Sequence, residues 1–414
     1  MPYHRIHLCL AKMSPSGAEQ KYINEAFASN WIAPLGPNVD AFEEALKCHF
    51  ERSEAESRNP LVQMHPGKKD FSTTPGGSGR NDVYVAAVSS CTAAIHLALL
   101  LLGVGKDDEV LCQSFSFCAS SNPVTYCGAK PIFVDSEEDT WNMSPELLEE
   151  AIKDRIAKTG RKPKAIIVVD LYGMPAKWDE ITAISKKYDI PVIEDAANAL
   201  GSYYKGKPCG TFGDIATLSF NGNKMITTSG GGAIICKDEA TKKRAIFLAT
   251  QAKEPYLHYE HETIGYNYRM SNISAGIGRG QMTVLEDHIE HHKHVHELYR
   301  ELFLNTNRTN NTNIISVQGN PNGDFDSNFW LTTILFKKEF DTEAFCLKLD
   351  KSGIEARPLW KPMHLQPVYK NAPSFTNGFS EYLFRHGICL PSGPWVTDED
   401  VRYIVEKIKE AIVF

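Results

Sequence analysis

From Val83 to about Cys236 the chain alternates short β-rich apolar runs with longer stretches of helical period, and no other feature restricts its fold as much. Glu109 to Gln113, Pro131 to Val134, Ala165 to Asp170, Pro191 to Glu194, Ile215 to Phe220 and Gly232 to Cys236 read as strands. Ser144 to Lys153 and Trp178 to Lys187 read as helices between them. Such alternation predicts an α/β fold with a mainly parallel sheet covered by helices on both faces. In sheets of that kind ligands gather at the carboxyl ends of the strands.

The stretch Val83 to Gly105 contains no Asp, Glu, Lys or Arg, which would suffice to cross a bilayer if it were one helix. Its polar middle, Ser89-Ser90-Cys91-Thr92, argues instead for a buried strand, Val83 to Val88, followed by a buried helix, Ala93 to Leu102. Ahead of it, Ser16 and Glu19 have the spacing of a capping box and predict a helix with apolar positions at Ile23 and Phe27. The Pro/Gly-rich loop Trp31 to Pro37 is too apolar for a solvated linker; it packs near a functional feature or covers the core. Residues 51–82, with scattered prolines and little apolar content, read as a mobile surface insertion.

A long amphipathic run from about Ser274 to Leu304 predicts one bridging helix. After it come an apolar run, Trp330 to Phe336, a helix near Thr342 to Lys351, and a closing helix from Thr397. A length of 414 residues exceeds one ordinary domain. The expected division is a large domain over 1–270 and a bridging helix with a smaller C-terminal α/β domain over 271–414.

A net charge of −7 excludes the broad basic stripe of a general nucleic-acid binder. The 10 cysteines are scattered singly, with no C-x-x-C pair, which matches a reducing cytoplasm rather than a disulfide or zinc scaffold. The N-terminus lacks the pattern of a secretory signal. The expectation is a cytoplasmic protein with no membrane insertion.

The chemistry concentrates on three pieces. Asp195 ends the strand beginning at Pro191, where a parallel sheet faces its crevice, and a carboxylate there balances a buried cation. Lys224 sits beyond the next strand in a turn followed by Gly230-Gly231-Gly232, where an amine can be kept dry and nucleophilic. The backbone N–H groups of Cys91 and Thr92 open a helix whose positive end favours an anion. An amine, a carboxylate and phosphate-binding amides are what pyridoxal phosphate requires. Singly, each piece is commonplace: strand-end Asp residues are mostly caps, lysines mostly solvated, and Ser-Ser-Cys-Thr before a helix mostly an N-cap.

In that order, Ser90-x-Thr92-Ala93-Ala94, Glu194-Asp195-Ala196-Ala197, Ser219-x-x-x-x-Lys224-x-x-Thr227-Thr228-x-Gly230-Gly231-Gly232 and Gly265-Tyr266-Asn267-Tyr268-Arg269-Met270-Ser271 resemble the fingerprint of the sugar-nucleotide aminotransferases. These are pyridoxal-phosphate enzymes of fold type I, aspartate-aminotransferase-like, and the resemblance implies a seven-stranded-type large-domain sheet. It covers nearly the whole chain outside 51–82, for which the family offers no role. Leu257 to His261, Ser219 to Lys224 and Arg357 to His364 resemble the branch that makes the 4-amino precursor of bacillosamine. There the acceptor is a UDP-linked 4-keto-6-deoxy-N-acetylhexosamine and the donor L-glutamate, which leaves as 2-oxoglutarate.

The resemblance implies that Lys224 anchors the cofactor covalently and then moves the proton, and that Asp195 binds the pyridine nitrogen. Phe117 stacks on the ring, with Phe115 as the alternative, and Ser219 joins the Cys91 and Thr92 amides at the phosphate. Asn198 stands where many relatives carry Gln, His or Glu near the cofactor's phenolic edge. Asn267 reaches across a homodimer interface into the partner's site. Arg357 and His364 bind donor carboxylate or sugar diphosphate, or serve structure only. Relatives that dehydrate sugars carry His in place of the lysine, so Lys224 points to transamination. Other readings are an aminotransferase for a 3-keto, GDP- or dTDP-linked sugar, an amino-acid aminotransferase, and a catalytically silent regulator.

His288, His291, His292, His294 and His296 crowd one helix, two pairs of them at metal-ligand spacing. No Glu or Cys completes a first shell, so the expectation is a solvated face and no metal. Asn307 and Asn310 mark a loop.

Overall fold

The computed structural model describes residues 5–51, 83–304 and 314–412. Residues 52–82 and the asparagines at 307 and 310 lie outside them.

Runs of Val, Ile and Ala with both faces buried form the strands of the main sheet. In chain order these are β1 (Tyr84–Val88), β2 (Glu109–Gln113), β3 (Lys130–Val134), β4 (Ala165–Val169), β5 (Val192–Asp195), β6 (Ile215–Ser219) and β7 (Gly232–Cys236). The sheet order is β1-β7-β6-β5-β4-β2-β3, extended at the β3 edge by the two-residue strand Ser374–Phe375. The pairings from β6 through β3 to this edge strand are parallel, and β7 is antiparallel to both its neighbours. Seven strands therefore run one way, and Val88, Asp195 and Ser219 end at the same edge. The strand runs expected from sequence are all present, and the eighth strand comes from a segment with no strand signal of its own.

Helices α1 (Ala18–Ala28) and α2 (Pro37–Phe50) precede the sheet, and α3 (Cys91–Leu101), α4 (Asn122–Tyr126), α5 (Pro145–Thr159), α6 (Trp178–Tyr188) and α7 (Glu239–Ala249) connect or flank its strands. On one face α3 and α7 pack Ile95, Leu99 and Leu248 onto Val110, Ile167, Ile193 and Ile234. On the other, α2 contributes Phe42, Leu46 and Phe50 to a core with Ala87, Leu218 and Ile235, while α5 and α6 cover Ile132, Ile166 and Val168. Each such fully buried aliphatic side chain contributes roughly 1.5–3 kcal/mol against the cost of ordering the chain. The uncharged stretch is a strand plus a helix, and among the described residues no helix is long and apolar enough to cross a membrane.

A second sheet combines β8 (Ile314–Val317), β9 (Thr332–Phe336), β10 (Arg357–Pro358) and β11 (Gly387–Leu390) in the order β8-β9-β11-β10. It packs with α10 (Thr342–Asp350) and α12 (Asp398–Ala411), with α11 (Phe379–His386) between them in the chain, and Ile6 from the start of the chain joins the same core.

Three local expectations are corrected. The Ser16/Glu19 capping box does not form: Gly17 caps α1 with no side-chain bond, and buried Glu19 accepts instead from Ser14 N and Gln281 Nε2. Nor is Phe27 buried; it is 59% exposed. The bridging run is two helices, α8 (Asn272–Met282) and α9 (Leu285–Leu304). Glycines let α8 approach α1 and α2 closely, since a Cβ at Gly278 would lie 2.7 Å from Phe42 and one at Gly280 2.5 Å from Glu19 N. Finally, the histidine face is not solvated: His288, His292 and His296 are buried, and only His294 is exposed, bonded to Asp398 at 2.7 Å. They share their face of α9 with Ile289, Val295, Tyr299 and Phe303, a 3–4 spacing already visible in the sequence.

Candidate active site

Ser90, in extended backbone, ends the turn after β1 and caps α3 by accepting from Ala93 N. The Cys91 and Thr92 amides remain as first-turn donors with no intrahelical acceptor. Gly232 pairs with both Val88 and Ser219, so the start of α3 and the end of β6 flank one residue without a side chain. A Cβ there would lie 2.5 Å from Ser90 C and 2.7 Å from Leu218 O, against the Cys91 amide.

Asp195 closes β5 and is 3% exposed. Its Oδ2 accepts from Ser120 Oγ at 2.7 Å; its Oδ1 accepts from Ala197 N at 3.1 Å and from the Cys91 thiol at 3.8 Å. Burial raises its pKa, opposed by Ser120, by the Ala197 amide and by the charge of Lys224.

Lys224 follows the turn Asn221-Gly222-Asn223, closed by its own N–H on Asn221 O. Met225 and Ile226, buried next to it, hold the turn against the core. Nζ donates to Asn198 Oδ1 at 2.6 Å and lies over the Trp330 ring, 4.2 Å from its centroid. Removal from water lowers the amine's pKa, and Asp195 opposes the shift.

These groups line one cleft of about 590 Å³ at the carboxyl edge of the sheet. Its size falls in the range of roughly 300–1,000 Å³ usual for small-molecule sites. Of the residues singled out from sequence, Cys91, Thr92, Phe117, Asp195, Asn198, Ser219, Lys224 and Arg357 line it. Phe117 presents a ring that is 58% exposed, whereas Phe115 is fully buried against Tyr172. Arg357 is exposed and bonded to Glu355. His364 does not reach the cleft: its ring lies between Ser114 Oγ at 2.7 Å and Glu381 Oε1 at 3.2 Å, tying the segment down. Asn267 is also outside the cleft and exposed, between the stacked Tyr266 and Tyr268 in sequence.

Sequence reasoning missed four contributors. Ser120 follows Phe117 by one helical turn and binds Asp195; Trp330 heads the apolar run read from the sequence; Trp360 lies in the segment of Arg357 and His364. Asn328 is fully buried, donating to Asn198 O and Leu200 O and accepting from Trp330 N. Only its position two residues before a tryptophan could have marked it.

Residues 80–409 match the model of the DegT/DnrJ/EryC1/StrS aminotransferase family. The chain belongs to that family. It is 45% identical over 396 residues to EpsN of Bacillus subtilis, named as a pyridoxal phosphate-dependent aminotransferase, covering 94% of this chain and 92% of EpsN. It is 36% identical to a GDP-perosamine synthase of Escherichia coli O157:H7, with 96% of each chain covered. The fold superposes with a TM-score of 0.82 on the PLP-form of the sugar aminotransferase Spr1654 from Streptococcus pneumoniae, 26% identical, covering 99% and 98% of the two chains. As a DegT/DnrJ/EryC1/StrS enzyme the chain is a pyridoxal-phosphate-dependent aminotransferase acting on nucleotide-linked keto sugars. The residues present fit this cofactor: the cradle at Gly232 that a Cβ would fill, a buried carboxylate and a partly buried amine stand around one cleft.

Proposed function

We propose that this aminotransferase moves an amino group from L-glutamate to the keto carbon of UDP-linked 4-keto-6-deoxy-N-acetylglucosamine, for surface polysaccharide or glycan biosynthesis. The observation that carries the reading is the convergence on one cleft of Lys224, Asp195 and the start of α3 with Asn221, Asn223, Arg357 and Trp360. The latter four come from the two segments, 219–224 and 357–364, that resemble the bacillosamine branch.

Bound pyridoxal phosphate supplies an aldehyde that bonds covalently to an amine and a ring that takes up the electron pair released at the donor carbon. The Cys91 and Thr92 amides and Ser219 Oγ bind the phosphate, aided by the partial positive charge at the α3 N-terminus. Asp195 holds a proton on the pyridine nitrogen, oriented by Ser120 and the Ala197 amide. Phe117 covers one face of the ring. Lys224 would hold the cofactor covalently, and its Nζ would serve as the base that accepts the donor-carbon proton and gives it back within the cleft. Burial lowers its pKa, which favours the neutral amine that this role requires. Asn198 steadies Nζ between these tasks.

The working unit is a homodimer with composite sites, in which the partner subunit's Asn267 reaches the phosphate. The exposure of Asn267 and of Phe27, Trp31, Ile32 and Leu35 supports this reading.

A second reading, a GDP-linked sugar, is favoured by the similarity to GDP-perosamine synthase. A panel of UDP-, GDP- and dTDP-keto sugars with glutamate, read by the mass of the amino product, separates the two. Transfer to the UDP sugar supports the first reading, and transfer to the GDP sugar alone replaces it with the second. Consumption of glutamate without transfer to any sugar overturns both.

A further inference from the structure

Three buried histidines recur every fourth residue on α9, and two of them touch the segments that grip Lys224. His288 Nδ1 stands 3.1 Å from Met225 O, the carbonyl immediately after Lys224. His292 Nδ1 stands 3.3 Å from Phe329 O, immediately before Trp330, whose ring lies under the Lys224 amine. His296 stacks on the Phe329 ring at 3.6 Å and 3°. Phe329 itself has φ 48°, a left-handed backbone that a phenylalanine rarely adopts and that persists only where its surroundings fix it.

We infer that His288 and His292 are positioning residues for Lys224: each donates Nδ1–H to a carbonyl of one of the two segments, 223–225 and 328–330, between which the amine is held.

The chemistry of the acceptors fixes the tautomers. A carbonyl only accepts, so Nδ1 carries the hydrogen in both rings. His292 Nε2 is buried with no partner among the described residues, so a proton there would be an unsatisfied buried donor, and the ring stays neutral. Burial pushes His292 down to about 3, helped by His291 and His288; His288 is also lowered by burial, with Met225 O, Asp287 and Glu19 opposing and Lys12 assisting. The two segments are also tied directly, because Trp330 Nε1 donates to Asn223 O at 2.7 Å. Asn328 extends the tie to the backbone of Asn198, the amine's acceptor. The histidines thus brace from behind a frame whose front holds Nζ. A shift of either segment by about 1 Å would move the amine out of alignment and let water reach it.

The inference takes its importance from the reading of Lys224 as covalent anchor, but its test does not need the cofactor. Full-length protein freed of cofactor is trace-labelled with acetic anhydride across a pH series, and the Lys224 peptide is quantified by mass spectrometry. In the wild type the labelling midpoint lies below the ordinary lysine value. His288→Leu and His292→Leu should raise it by about one pH unit or more, about tenfold in rate at fixed lower pH. His288→Asn and His292→Asn, whose amide N–H stands where Nδ1–H stood, should restore it. If the leucine variants do not fold, His→Gln replaces them: it carries the amide at the wrong distance and should raise the midpoint where His→Asn does not. Folded Leu or Gln variants with the wild-type midpoint would overturn the inference. A wild-type Lys224 that titrates low yet never takes up pyridoxal phosphate would sink the anchor role alone.

Discussion

Lys224 Nζ donates to Asn198 Oδ1 over 2.6 Å, so the amine rests on a neutral amide while Asp195 is engaged by Ser120, Ala197 and Cys91. Lys224 and Asp195 are therefore not each other's direct partners. Had Asp195 been the direct partner of Lys224, their pairing would keep the amine protonated and occupy the carboxylate. A neutral acceptor lets burial depress the amine's pKa and leaves Asp195 for a ligand cation.

Lys224→Ala should abolish amino transfer, by about 10⁴-fold or more, because both the covalent anchor and the proton carrier are lost. The folded state should survive. Transfer assays, the visible absorption after adding pyridoxal phosphate and a melting curve check this; residual transfer near the wild-type rate would refute the role of Lys224.

Asp195→Asn preserves shape and removes charge. Loss of the buried charge opposite the pyridine nitrogen should cost about 3–5 kcal/mol in transfer, or roughly 10²- to 10⁴-fold. Ser120→Ala, which removes one hydrogen bond to that carboxylate, should have a smaller effect in the same direction, about 1.5–3 kcal/mol at most. Steady-state kinetics with glutamate decide; equal effects from the two changes would contradict the assignment.

Gly232→Ala places a methyl group against the Cys91 amide and Leu218 O. Overpacking should destabilise the fold by about 1–3 kcal/mol, and cofactor affinity should fall out of proportion to that loss. Equilibrium dialysis of pyridoxal phosphate against the purified variant, beside a denaturation curve, measures both. Unchanged affinity would show that the cradle holds something else.

Mixing Lys224→Ala with Asn267→Ala subunits tests the composite dimer. In a randomly mixed population half the dimers are hybrids, each with one intact site, so activity should recover to about a quarter of wild type from two nearly inactive parents. No recovery after subunit exchange, verified by mass, would place Asn267 outside the partner's site.

Acid should weaken the protein through the buried histidines. Burial pushes His292 and His296 from 6.5 down to about 3. Between those values the unfolded chain binds protons that the folded chain refuses, so stability is retained above pH 6.5 and falls as pH drops towards 3. Melting temperatures of wild type and a His292→Asn, His296→Phe variant across pH 3–7 should diverge, with the variant flatter. Parallel curves would exclude these two rings as the cause.

The sequence by itself determined the succession of strands and helices from Val83 to Cys236, because strand period, helix period and turn residues are local properties of the chain. It also marked Asp195, Lys224 and the start of α3, since each stands at the end or beginning of an element that local pattern reveals. Only the tertiary structure decided what lies around them. Trp330 and Ser120 reach the cleft, and buried Asn328 ties Asn198 to Trp330, because distant segments fold together, and Glu19 abandons its expected cap because Gln281 competes for it. The histidines of α9 show the difference most clearly. Their burial was legible from the apolar residues that share their face, but their partners, the carbonyls of Met225 and Phe329, are ones that no local pattern brings near.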